Sequence, residues 1–245
     1  MLLRAGLVMM ADSRTNAGVD NFSSFKKLHI LADEADRQIF ACSAGSLSMS
    51  QSVISLLKEG LPSSDNADLP RSVHDATTMF RAAQLVGEAV QAANATVGGA
   101  LARIGLESSV SLLLGGRIGG QPLSLFLIYN AGNFIECHAE VPFLQIGETK
   151  YGRPILDRAL SYRSSLAEAV KIGLLSFDSS MQSNLGVARP IDLIVIPRDP
   201  ELPLISRRIE EEDAYFDDLS RCWASELKNA ALGLPAPPWM MISEA

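Results

Sequence analysis

The chain has 245 residues, 47% of them hydrophobic and 20% charged, with a net charge of -7 at neutral pH. That length and balance suit a packed globular protein and exclude a disordered chain. The negative charge argues against nucleic acid or an anionic membrane as partner.

The opening MLLRAGLVMMADSR is apolar, but Arg4 breaks it and it is too short for a membrane span or a signal peptide. A strand is expected over residues 2–11. The turn SRTNAGVDN follows, with the turn formers Asn16, Gly18, Asp20 and Asn21. A short strand around 27–31 precedes QIFACSA (38–44), which reads as a buried strand. Gly45 and Ser46 end it, and Ser46 or Ser48 caps the helix MSQSVISLLKEG, stopped by Gly60. After the loop LPSSDNADLP, Ser72 caps a long predicted helix over 73–103, with Phe80, Leu85, Val90 and Val97 directed inward. Strands are then predicted at SVSLLLGG, PLSLFLIYN, NFIECHAE and PFLQIG, with turns at GGRIGGQ and NAGN.

Helices over 152–161 and 165–181 follow. The second is capped by Ser165 and turns Leu166, Val170, Ile172 and Leu175 inward. The strand IDLIVIP is closed by Pro197 and Pro200. The last helix, 208–232, carries Ile209, Phe216, Leu219, Trp223 and Leu227 at helical spacing. Its acidic run, Glu210 to Asp213, suits the first turn of a helix. Consecutive antiparallel strands with segregated helices imply an α+β fold. Two sheets between helix layers, a four-layer αββα sandwich, is the simplest packing that buries every apolar face. The whole chain, 1–245, is expected to form a single domain. Residues 208–245, with the tail GLPAPPWMMISEA, are expected to provide an interface element.

Cys42, Cys137 and Cys222 are odd in number and scattered. They point to free thiols in a reducing compartment, hence the cytoplasm. Neither they nor His29, His74 and His138 show metal-ligand spacing. GGRIGG lacks the Gly-Lys-Ser/Thr ending of a phosphate loop and opens no helix, so a strand-connecting turn is expected. Taken alone, Asp12 is a turn former, Gly45 a helix-start glycine and Asp178 a helix-terminal turn residue. Glu148 and Lys150 read as a surface ion pair, and His29 as a core or interface histidine. Lys27, if turned inward, needs a partner, and Asp12 is the natural one.

Taken in order, GLVMMADSRTNAG, SFKKLHIL, SAGSLSMSQSVISLL, FLQIGETKYGRPILDRAL, FDSSMQSN and IDLIVI cover nearly the whole chain. They resemble successive segments of proteasome β-subunits. SRTNAGVDNFSSFKKLH, with IGETKYGRPILDRAL and SNLGVARPIDL, is most similar to the bacterial Anbu (ancestral β-subunit) family of N-terminal-nucleophile hydrolases. The resemblance implies a threonine-type peptidase. An amino-terminal threonine hydroxyl attacks the peptide carbonyl and the free α-amine takes its proton. A lysine keeps that amine neutral, an aspartate holds the lysine, and a glycine N–H stabilises the oxyanion.

Carried over, these roles fall on Lys27, Asp12 and Gly45, with Asp178 supporting the amino terminus and Arg14 and Ser183 assisting. Glu148 stands where most proteasome subunits have serine, and Met181 where a second serine is expected. By the same analogy the nucleophilic threonine lies about five residues ahead of Met1, and a chain beginning at Met1 is expected to be inactive. The resemblance further implies a homo-oligomeric ring or lock-washer, unfolded polypeptide or peptide substrates, an ATP-dependent unfoldase as partner, and no cofactor. Two other readings stand beside it: a non-catalytic assembly or binding protein on the same fold, and a small-molecule amide hydrolase.

Overall fold

The structure, a computed structural model, describes residues 1–16, 22–63, 71–99 and 108–240. In chain order, β1 (Leu2–Leu3), β2 (Gly6–Asp12), β3 (Arg14–Asn16), β4 (Phe22–Ser24), β5 (Leu28–Glu34) and β6 (Arg37–Gly45) lead to helices α1 (Leu47–Glu59) and α2 (Met79–Ala93). Then β7 (Val110–Ile118), β8 (Ser124–Ile128) and β9 (Phe134–Glu136) lead to α3 (Arg153–Ala159) and α4 (Leu166–Met181). β10 (Ile191–Pro197), β11 (Ile205–Ile209) and α5 (Ala214–Gly233) complete the series.

Strands β1-β2-β10-β11 form one antiparallel sheet, β5-β6-β7-β8-β9 a second, and β3-β4 a separate pair. The mixed helix and sheet content is that of an α+β protein. Successive side chains of a strand point to opposite faces, and β6 uses both. Phe40 and Cys42 meet Leu7, Met9, Ile194 and Ile196 of the first sheet in one buried cluster. Ile39 and Ala41 join Val53 and Leu57 of α1 and Val86 and Ala89 of α2 in another. The buried alanines of α2 let it lie close to α1.

The chain forms two compact units, residues 1–210 and 211–245. In the second, Asp213 caps α5 by accepting the N–H of Phe216 at 3.0 Å. Phe216 is buried, while Leu227, expected to face inward, is exposed.

Several expected elements differ. The strand predicted over 2–11 is a hairpin turned at Arg4 and Ala5; Gly6 opens β2 with φ +155°, where a Cβ would lie 2.3 Å from the Ile196 carbonyl oxygen of β10. Part of the predicted turn after it is paired as β3 and β4; Gly18, Asp20 and Asn21 lie outside the described residues. The helix predicted over 73–103 is interrupted. Ser72 and Asp75 close a capping box on the short turn Val73–Asp75, and α2 begins afresh at its cap Thr78. It passes into a wider turn over Asn94–Gly98, and residues 100–103 lie outside the described set.

Phe80 is exposed rather than inward, with its ring edge-on to Phe134. Ser46 precedes α1, but its hydroxyl meets Ser48 Oγ at 3.2 Å instead of capping. The stretch 142–147 forms no ladder and is tied to β1 through Leu2 N–H to the Pro142 carbonyl. Arg208 and Ile209, predicted to open the last helix, end β11 instead, where Arg208 pairs with Asp192 at 2.8 Å.

Candidate active site

Asp12 closes β2 and opens a tight bend, in which the Arg14 N–H donates to Asp12 Oδ2 at 3.1 Å. Lys27 stands immediately before β5. Its backbone is fixed by Ser43 N–H to the Lys27 carbonyl, 2.9 Å. Its ammonium is turned inward and donates to Asp12 Oδ1 at 2.8 Å, the side chains being 21% and 13% exposed. Lys27 is therefore not the solvated surface cation that the Lys26-Lys27 pattern alone suggests. A charge so withdrawn from water requires its partner. Arg14 lies beside the pair and donates to the Leu185 carbonyl at 3.0 Å.

The direction of the Gly45 N–H follows from the ladders. Ser43 donates its N–H toward β5, to Lys27, whereas Ser46 donates its N–H to the Ser109 carbonyl on the β7 side. Ladder bonds alternate sides along an antiparallel strand, so Gly45 turns toward β5. β5 begins only at Leu28, opposite Cys42, and among the described residues the Gly45 N–H has no backbone partner. The backbone there has φ +106°, and a Cβ would stand 2.3 Å from the Ser109 carbonyl oxygen. Only glycine suits the position.

Asp12, Arg14, Lys27 and Gly45 line a common cavity of about 380 Å³, with Met10 and Glu148 among the other walls. One side of it is the edge of β2 that pairs with β1. Met1 and Val8 exchange both backbone bonds, at 2.8 and 2.9 Å. By alternation Met10 and Asp12 then present their backbone groups on the same side, past the end of β1. Among the described residues, the Met10 carbonyl takes only a weak contact from Cys42 Sγ at 3.9 Å.

Glu148 lines this cavity through interactions the sequence did not reveal. Its carboxylate accepts the Lys150 backbone N–H at 2.7 Å and Asn184 Nδ2 at 2.6 Å. The backbone bond, then the Asn184 amide, hold the Glu148 carboxyl below its usual range. Lys150 thus contributes its backbone N–H, with its ammonium a lesser influence.

Asp178 is buried in the last turn of α4 but is not among the cavity-lining residues; Ser176 and Ser180, four residues apart on one helix face, line it instead. Ser183 is exposed and outside the lining, whereas its neighbour Asn184 is part of it. Among the described residues no group of three or more His, Cys, Asp or Glu is disposed to hold a metal ion, and no helix is long and apolar enough to cross a membrane. Cys42, Cys137 and Cys222 are free thiols.

No protein-family model matches the chain, and no curated protein matches it either. Solved structures do. A Gly-1 mutant of Anbu from Hyphomicrobium sp. strain MC1 is 41% identical over 96% of each chain, with a TM-score of 0.86. Anbu (ancestral beta-subunit) from Yersinia bercovieri is 37% identical over 97% of each, with a TM-score of 0.84. The Anbu complex from Pseudomonas aeruginosa, described as a helical assembly, is 39% identical over 99% of this chain and 98% of that one, with a TM-score of 0.87.

Proposed function

The chain belongs to the Anbu (ancestral β-subunit) family of proteasome-like N-terminal-nucleophile hydrolases, and on that premise we propose that it is a subunit of a self-compartmentalised, threonine-type peptidase. It hydrolyses peptide bonds in unfolded polypeptides or peptides. The observation that carries this reading is the Lys27–Asp12 pair at 2.8 Å on the wall of a cavity into which Gly45 also opens.

In this mechanism the threonine hydroxyl attacks the peptide carbonyl and its proton passes to the α-amine. Lys27, a fixed positive charge, favours the neutral, basic form of that amine, and Asp12 keeps Lys27 in place. The Gly45 N–H donates to the oxyanion as it forms. The C–N bond then breaks as the leaving amine takes the proton, and water hydrolyses the ester.

The register of the first hairpin supports this geometry. Leu2 pairs with Leu7 and Leu3 with Gly6, residue numbers that sum to nine. A segment continuing β1 backwards along the same edge of β2 would bring a residue about five positions ahead of Met1 opposite Ser13, next to Asp12. Arg14 and the Glu148–Asn184 pair brace that corner. Asp178 and Ser183 act through the end of α4 rather than by contact with the cavity.

The reading extends to the architecture: one domain arranged as a four-layer αββα sandwich, with residues 208–245 at subunit interfaces. The helical assembly named for the Pseudomonas aeruginosa relative supports homo-oligomerisation as a ring or lock-washer. Such an assembly works in the cytoplasm, without metal or organic cofactor, on chains delivered by an ATP-dependent unfoldase.

The test compares two polypeptides, one beginning at Met1 and one carrying an added segment of about five residues that begins with threonine. Each is treated with a peptide epoxyketone, which traps a hydroxyl and an adjacent α-amine together, and its intact mass is measured. An adduct is expected only on the threonine-bearing protein, and not after Lys27→Ala, while the assembled size stays the same. A threonine-bearing protein that forms no adduct and cleaves no peptide would overturn the reading.

A further inference from the structure

A second cavity, of about 480 Å³, lies on the helix side of the Ser43–Gly45 segment and shares Lys27, Ser43 and Gly45 with the first. One wall is a face of α1, on which Gln51, Ser55 and Lys58 follow at helical spacing. The facing wall is the start of β5, with Lys26 and His29. His29 Nε2 lies 3.2 Å from Ser43 Oγ. Leu47, Ile54 and Ala44 supply apolar surface.

The charge of this cavity is one-sided. Among the described residues its walls include Lys26, Lys27 and Lys58 and no Asp or Glu. Lys27 is paired with Asp12. Lys26 and Lys58 have no ion-pair partner among the described residues. Burial first, and then the nearby Lys58 and Lys26 ammonium groups, push His29 down to about 4. The imidazole is therefore neutral at pH 7, and the two lysines provide the uncompensated charge. A side chain that fits has a short aliphatic stem for the apolar surface and a carboxylate for the cations. A lysine or arginine side chain meets like charge there.

The two cavities meet at Gly45. A peptide whose carbonyl oxygen accepts the Gly45 N–H brings the side chain of that same residue to the mouth of the second cavity. We propose that this cavity is a specificity pocket that selects an acidic residue, glutamate or aspartate, on the amino side of the cleaved bond. Lys58 and Lys26 are the residues that set the preference. The proposal rests on the peptidase reading for the identity of the bond, but the pocket's preference can be measured without turnover.

The test is equilibrium binding of three short peptides to the full chain. They are identical except for a carboxy-terminal glutamic acid amide, leucine amide or lysine amide, and carry the same amino-terminal dye for fluorescence anisotropy. The glutamyl peptide is expected to bind at least about ten-fold more tightly than the lysyl peptide, with the margin shrinking as salt is raised. Lys58→Gln should reduce that margin, and the double change Lys26→Glu with Lys58→Glu should reverse it. Both lysines are exposed, so these changes leave the fold intact.

Equal binding of the three peptides, or no binding of any, overturns the proposal. Cleavage by the threonine-bearing protein without acidic preference overturns the pocket assignment and leaves the peptidase reading standing. Selective binding of the glutamyl peptide with no cleavage by that protein does the opposite.

Discussion

Coupling between Lys27 and Asp12 underlies the proposed chemistry, and it can be measured as a double-mutant cycle. The Nζ–Oδ1 distance is 2.8 Å and both side chains are less than a third exposed, at 21% and 13%. Solvent screening therefore discounts the pair only in part, and a charge-assisted hydrogen bond of this kind contributes about 2 kcal/mol. Lys27→Met removes the cation and leaves Asp12 with the Arg14 N–H at 3.1 Å. Asp12→Asn keeps the shape but leaves the Lys27 ammonium facing an uncharged amide. Each single change is expected to cost about 2 kcal/mol, or about 4–8 °C in Tm for a chain of this size.

The double variant, Asp12→Asn with Lys27→Met, strands no charge. It should cost about the same as either single change, giving a coupling of about 2 kcal/mol. Urea and thermal unfolding at pH 7 provide the readout. Additive single effects, to within about 0.5 kcal/mol, would refute the claim that Asp12 positions Lys27.

Gly45→Ala adds a Cβ 2.3 Å from the Ser109 carbonyl oxygen at φ +106°. It should destabilise by about 1–3 kcal/mol and, by displacing the oxyanion donor, lower kcat of the threonine-bearing protein about 100-fold or more. Phe40→Ala empties a fully buried site between the sheets and is expected to cost about 3–5 kcal/mol in urea unfolding. His29 should titrate near 4 by NMR, below the usual 6.5, and move upward in Lys58→Ala. Between pH 6.5 and 4 the unfolded chain takes the His29 proton and the folded chain does not. Stability should therefore fall as pH drops through that window, by about 1–2 kcal/mol after allowance for solvent screening at this partly exposed ring. His29→Gln should remove that part of the slope.

What the sequence discloses depends on whether the deciding interaction is local. The strand IDLIVIP is legible because all seven residues are buried and proline closes the run. The helix over 166–181 is legible because Ser165 and Glu168 form a capping box within four residues. The strand ISRRI is not, since four of its five residues are exposed. It is held from a distance, by β10 and by the Asp192–Arg208 pair.

The site divides the same way. The Asp12–Lys27 pairing could be anticipated, because an inward lysine demands an acid and the residue types are visible. The Glu148–Asn184 bond spans 36 residues and leaves no local mark. The outward N–H of Gly45 depends on the phase of two ladders that the sequence does not encode nearby. Its glycine is visible, but its direction is not. The Gly45 N–H, which has no backbone partner among the described residues, opens on the cavity that the Lys27–Asp12 pair also lines. Unpaired backbone of that sort either costs stability or binds something. Its convergence on the Lys27–Asp12 pair is the physical reason to expect an extended peptide segment at this place in the fold.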